Sequence, residues 1–208
     1  MSRHKYPHTP HLPFSRSRTG DDKVLTSVAH FLGKRIVVTK KMDGENTTLH
    51  PDGFHARSLD SRHHSSRDWV AAFRAQIAHG IPAGWRVCGE NLFARHSIAY
   101  SDLPSYFMGF SVWNEANVSL GWNDSLAFFA RLGIEPVPEL HRGVFSEKLL
   151  RKLAQEWDTE KDEGFVVRLE GAIRFEDFGH SMAKWVRPKH VQTDEHWMHR
   201  AIVPNGLR

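Results

Sequence analysis

The stretch Lys41-Met42-Asp43-Gly44-Glu45-Asn46 follows the apolar run Ile36-Val37-Val38 and opens a polar turn. Arg35 to Thr39 is rich in β-branched residues and predicts a strand that delivers the Lys41 amine. A carboxylate follows two residues later, then a glycine that frees the backbone. Together these groups can hold a nucleotide phosphate beside a nucleophile. A K-x-D-G alone is also what many solvated hairpin turns look like, so its weight depends on what surrounds it. Immediately downstream, Thr47 to His50 and Phe54 to Arg57 flank Pro51-Asp52-Gly53, a turn signal that predicts a hairpin.

Upstream, Pro7, Pro10 and Pro13 stand among histidines, arginines and serines. Residues 1–22 therefore read as an extended basic arm, with one domain over 23–208. Arg3, Lys5, Arg16 and Arg18 of the arm either line a groove for a nucleic-acid backbone or keep a tail solvated. Lys23 to Phe31 allows a short helix ended by Gly33. Beyond the hairpin, Trp69, Phe73 and Ile77 recur at helical spacing and predict a helix over 66–79. Strands are expected at 85–91 and 106–114. Helices capped by Asp124 and by Ser146 follow, then neighbouring strands at 163–169 and 183–187, and a last short helix from Thr193. Strands and helices mix without β-α-β-α alternation, which favours an α+β domain built on antiparallel sheets flanked by helices.

Composition narrows the function. With 208 residues, one sizeable core is expected. Lys+Arg 28 against Asp+Glu 24 gives a net charge of +4, which favours a polyanionic partner. The single cysteine, Cys88, excludes an intrachain disulfide and reads as buried packing. His63-His64, with His50 and His55 nearby, fit no compact zinc-ligand spacing. No apolar run approaches the roughly 18 residues that span a bilayer, so no membrane association is expected, and a cytoplasmic location is.

Read in order, the chain offers K-M-D-G-E-N at 41–46, A-R-S at 56–58, C-G-E-N at 88–91, Y-F-M-G-F-S-V-W at 106–113, E-G-F-V-V-R at 163–168 and A-K-W-V-R-P-K at 183–189. This set resembles the covalent nucleotidyltransferase superfamily, and within it the ATP-dependent RNA ligases of the RNA-ligase-2-like branch. The resemblance runs from about residue 34 to residue 190. It implies an ATP-grasp-like ligase adenylation domain using ATP and Mg²⁺ or Mn²⁺. Lys41 matches the lysine that attacks the α-phosphate of ATP, leaving a lysine-AMP phosphoramidate and pyrophosphate. A free lysine has a pKa near about 10.4, so only about one in a thousand is a nucleophile at neutral pH, and a bound metal is the expected source of activation.

The resemblance further implies that Asp43, Glu90 and Glu163 hold the metal, mostly through water, with Glu90 and Glu163 also at the nucleotide. Thr39 and Lys40, on the strand that carries the nucleophile, are expected beside the nucleotide. Arg57 is expected at the phosphates and Phe107 against the adenine face, with Tyr106 or Phe110 as the alternatives if the register shifts. Asn46 is expected at the 5′-phosphate end of the polynucleotide. The last motif departs from the family pattern of lysines at alternate positions. Lys184 fits the α-phosphate contact, but Val186 stands two residues on, leaving Arg187 or Lys189 as the second cation.

The implied activity is adenylation of Lys41, transfer of AMP to an RNA 5′-phosphate and sealing to a 3′-hydroxyl, in a setting of RNA repair. About 20 residues follow the last motif, which suggests that sealing needs a partner, an end-healing kinase or phosphatase being the natural companion. The competing readings are a non-catalytic RNA- or nucleotide-binding module with the same fold, a DNA ligase and a capping-type enzyme.

Overall fold

The computed structural model describes residues 3–15, 22–188 and 201–208. The expected helix from Thr193, together with Arg16, Arg18 and Lys189, lies outside the described residues. In chain order the strands are β1 (Arg35–Lys41), β2 (Glu45–His50), β3 (Gly53–Ala56), β4 (Arg86–Asn91), β5 (Phe107–Trp113), β6 (Val118–Ser119), β7 (Glu135–Pro136), β8 (Glu139–Val144), β9 (Gly164–Leu169), β10 (Ile173–Arg174) and β11 (Met182–Val186). Three α-helices, α1 (Asp68–Ile77), α2 (Trp122–Leu132) and α3 (Glu147–Gln155), join them.

The strands form two sheets, one in the order β11-β9-β1-β8 and the other β10-β6-β5-β4-β2-β3 with β7 beside β5. Only the β5–β7 pairing is parallel among the strand pairs of the described residues. The chain passes from the first sheet to the second through the turn at 42–44, between β1 and β2.

Alternation along the first sheet assigns its two faces. Ile36, Val38, Phe165, Val167, Ala183 and Trp185 point one way and pack with Leu150 of α3. The opposite face carries Thr39 and Lys41 of β1, Val166 and Arg168 of β9, and Met182 and Lys184 of β11, all of which line a cavity. On the outer face of the second sheet, Leu49, Val87, Phe107 and Val112 pack against Val70 and Ile77 of α1 and Phe128 and Phe129 of α2. Between the sheets lie two apolar clusters, one around Val37, Met42, Leu92 and Trp122 and one around Tyr6, Cys88, Trp113 and Met182.

The expected hairpin, the 66–79 helix and the neighbouring late strands all form, within a residue or two at their ends. Two local readings are corrected. Lys23 to Phe31 supplies only a 3₁₀ turn over Ala29–Phe31. The second helix starts at Trp122 after Gly121, so Asp124 lies in its first turn instead of capping it, while Ser146 does cap α3 by accepting from the Leu149 N–H at 3.3 Å. Residues 3–15 are built into the fold. Leu12 N–H donates to Lys184 O and Lys184 N–H to Pro10 O, both at 2.8 Å, so this segment extends the first sheet beyond β11. Tyr6, 7 % exposed, packs edge-on against Phe110 and Phe178.

Candidate active site

Lys41 closes β1 on the cavity face, opposite Gly164 of β9. Its Nζ donates to Glu163 Oε2 at 2.5 Å. Burial works to lower the Lys41 pKa, but the charges of Glu163, Glu90 and Asp43 outweigh it and the net direction is upward. The resting site therefore keeps Lys41 protonated. Burial in turn raises the Glu163 carboxyl, with Lys41 opposing. Lys40 points to the other face and pairs with Asp162, although it still borders the cavity.

The turn after Lys41 is fixed by close contacts. A Cβ on Gly44 would lie 2.5 Å from Asn91 O and 2.9 Å from Leu92 Cδ2, so only glycine fits, and the Gly44 N–H donates to Glu90 Oε1 at 3.2 Å. Burial, the largest influence, pushes Glu90 up to about 8, with Lys41 opposing and Glu163 and Asp43 adding to the rise. Asp43 Oδ2 accepts from the Ser97 N–H at 2.8 Å, the Ser97 hydroxyl at 2.7 Å and the Ile98 N–H at 2.7 Å. Asp43 thus anchors a loop. Among the described residues no group of three His, Cys, Asp or Glu side chains is arranged as a direct metal cage. What the site does hold is three carboxylates around one ammonium, an excess of hard oxygen donors and negative charge.

The cavity in front of Lys41 has a volume of about 380 Å³ and is lined by Thr39, Lys40, Asn46, Arg57, Glu90 and Lys184 of the expected set. Two of these carry buried atoms without a hydrogen-bond partner, Arg57 Nη2 and Asn46 Oδ1. Buried polar groups rarely stay unsatisfied, so each marks a place for a ligand acceptor or donor. Lys184 Nζ donates to Asp22 Oδ1 at 3.5 Å, a long contact, and burial lowers its pKa. A second cavity, bordered by Arg62, His63, His64, Arg67 and His96, shares Asn46 and Arg57 with the first.

Two expected residues lie elsewhere. Phe107 is fully buried on the outer face of its sheet, 5.8 Å from the Phe73 ring, and Phe110 lines the cavity instead. The cause is a register shift: Cys88 pairs with Ser111 but Gly89 pairs with Gly109, so Phe110 is an extra residue in β5. Arg187 also misses the cavity. Its guanidinium donates to Thr159 O and, at 3.2 Å, to Ser97 Oγ.

Sequence reasoning missed Tyr6, His8, Asp22 and Arg168 as cavity residues. Arg168 is 2 % exposed, its Nη1 lacks a partner, and burial pushes its pKa down to about 10. A charged residue at a buried position of a strand was the available signal. His50 Nε2 lies 3.3 Å from His55 Nε2, on the hairpin and away from Lys41, and burial pushes His50 down to about 4.

Two helix-flanked sheets with a lysine at the end of a central strand, facing a cationic cavity, make the nucleotidyltransferase fold of polynucleotide ligases. The RNA ligase family matches residues 34–186, and the chain belongs to it. No curated protein matches the sequence. Among solved structures, the Naegleria gruberi RNA ligase with pyrophosphate superposes with a TM-score of 0.56 at 19% identity, covering 76% of this chain and 51% of that one. A mutant of the same ligase with ATP and Mn gives 0.54 at 14% identity, covering 89% and 61%. An Aquifex aeolicus protein assigned as an ATP-dependent DNA ligase gives 0.54 at 18%, covering 87% and 49%. At these identities the likeness is one of fold, and the chain spans about half the length of most of these ligases. No described helix is long and apolar enough to cross a membrane.

Proposed function

We propose that the chain is an ATP-dependent RNA ligase that adenylates itself on Lys41. The observation that carries this reading is the placing of the Lys41 amine at a cavity where Arg57 Nη2 and Asn46 Oδ1 are buried and unpartnered. The family match and the ATP-bound neighbour support it.

Lys41 Nζ attacks the α-phosphorus of ATP; a P–N bond forms, the bond to the bridging oxygen breaks, and pyrophosphate leaves. Glu163 Oε2, 2.5 Å from Nζ, is placed to take the ammonium proton first. Lys184 and Arg57 neutralise the phosphate oxygens, which in phosphoryl transfer does more than acid-base chemistry. Phe110 and Tyr6 offer aromatic surface to the base. An RNA 5′-phosphate oxygen then attacks the same phosphorus and expels the Lys41 amine, with Asn46 and the second cavity beside the incoming strand. Finally the 3′-hydroxyl oxygen attacks the 5′-phosphorus and AMP departs. The carboxylates Glu90, Glu163 and Asp43 suit Mg²⁺ or Mn²⁺ held mainly through water, which would offset their charge and favour the free amine. An end-healing kinase or phosphatase would supply the 5′-phosphate and 3′-hydroxyl ends, and RNA repair in the cytoplasm is the setting proposed.

The test is incubation with α-labelled ATP or GTP and either metal, followed by denaturing electrophoresis, with Lys41→Ala alongside. Label from ATP retained by wild type and lost in the variant is expected. Label from GTP would point to capping-type chemistry. Folded, unmodified protein that takes no label would leave a nucleotide-binding module.

A further inference from the structure

Strands β4 and β5 are joined by a long loop, residues 92–106, that has no helix or strand of its own beyond isolated bridges. Segment 201–208 bonds to both limbs of this loop. On one limb, the Asn205 N–H donates to Phe93 O at 2.9 Å, the Arg95 N–H to Val203 O at 2.8 Å, and Asn205 Nδ2 to Leu92 O at 2.8 Å. On the other, the Tyr100 N–H donates to Asn205 Oδ1 at 2.9 Å and the Gly206 N–H to Tyr100 O at 2.8 Å. The Tyr106 hydroxyl donates to Asn205 O at 2.8 Å. Asn205 is 5 % exposed, and its amide and backbone are all engaged in tying the two limbs together.

The loop so tied reaches the nucleophile turn. Asp43 accepts from Ser97 and Ile98 as described, and its own N–H donates to the Tyr100 hydroxyl at 3.0 Å. Tyr100 is therefore common to both sets, bonded to Asn205 through its backbone and to Asp43 through its ring. Asp43 stands two residues from Lys41, in the same tight turn. Neither Asn205 nor Tyr100, Ser97 or Ile98 lines the nucleotide cavity.

We propose that segment 201–208, centred on Asn205, is a positioning element for the nucleophile: it fixes loop 92–106, whose Ser97, Ile98 and Tyr100 hold Asp43 and so set the direction of the Lys41 amine. The role rests on the reading that Lys41 is adenylated. In-line attack tolerates little misplacement, an error of about 1 Å costing about 100-fold in rate. An anchor remote from the nucleotide should then affect the rate of attack and leave nucleotide binding alone.

The experiment compares the wild-type chain, Asn205→Ala, Tyr100→Phe and, as a control at an exposed side chain of α3, Lys148→Ala. Each is assayed for the rate of lysine labelling across ATP concentrations, well below its melting temperature. Asn205→Ala should lower the maximal rate by about 10-fold or more with the KM for ATP within about twofold of wild type. Tyr100→Phe, which keeps the ring and removes only the acceptor for the Asp43 N–H, should give a smaller loss of the same kind. Lys148→Ala should match wild type. Amide hydrogen exchange gives a readout independent of activity: Asn205→Ala should speed exchange at Ser97, Ile98 and Asp43. If wild type labels and both folded variants label at its rate, the positioning role is overturned. A wild type that takes no label overturns the ligase reading instead, and unchanged exchange in Asn205→Ala then overturns the clamp on its own.

Discussion

Lys41, the proposed nucleophile, is held in its unreactive form. A lysine expected to have its pKa lowered by a metal is, in the chain alone, raised by three carboxylates. Burial, with Glu163 and Asp43 adding to it, pushes the Glu90 carboxyl from an ordinary 4.5 up to about 8. Between those two values the folded chain holds more protons than the unfolded one, so this group takes stability away as pH rises through the window. Glu90→Gln stays neutral and keeps an oxygen for the Gly44 N–H. It should therefore melt about 2–4 °C above wild type at pH 8, equivalent to about 1 kcal/mol, with the gap closing toward pH 5. Equal melting curves at both pH values would mean that Glu90 ionises there without penalty. The sequence showed which residues gather around Lys41, since Lys41, Asp43, Glu90 and Glu163 each sit in a motif. It did not show that Asp43 spends an oxygen on Ser97 and Ile98, because a loop that comes back across 54 positions leaves no local pattern.

At the level of the element, β5 decides which aromatic lines the cavity. Aromatic content made 106–114 a strand, but one extra residue reverses the alternation along it and exchanges the roles of Phe107 and Phe110. The available cue was Gly89 in the facing strand, where a Cβ would sit 2.4 Å from Phe107 Cζ and 2.6 Å from Met108 O. Phe110→Ala should raise the KM for ATP in the labelling assay by about 5–10-fold, the worth of one ring contact, with little change in the urea midpoint. Phe107→Ala should instead cost about 3–5 kcal/mol in urea unfolding, as expected of a fully buried ring. The reverse pattern would restore Phe107 to the adenine face. Strand β8 escaped notice for a different reason: Glu139-Leu140-His141-Arg142-Gly143-Val144 is an edge strand with no buried face to impose alternation.

Across the whole molecule, the cavity is closed by parts of the chain far apart in sequence. Asp22 reaches Lys184 across 162 positions, and His11 Nε2 lies 3.3 Å from the same carboxylate oxygen. Here an internal carboxylate occupies the ammonium that a phosphate would use. Asp22→Asn should lower the KM for ATP and the inhibition constant of pyrophosphate by about 3-fold each, equivalent to about 0.6 kcal/mol; unchanged constants would show that the pair gives way at no cost. Such closures are illegible in periodicity, which reports faces of elements and not what covers them. Of the interior joins, the one at 42–44 has a mechanical side. The chain crosses from one sheet to the other there, a few atoms from the reactive amine. Were the two layers to part, displacement would grow with distance from such a crossing, much as the blades of shears travel furthest from the pin. Lys41, beside that crossing, would then move least of the residues that line the cavity.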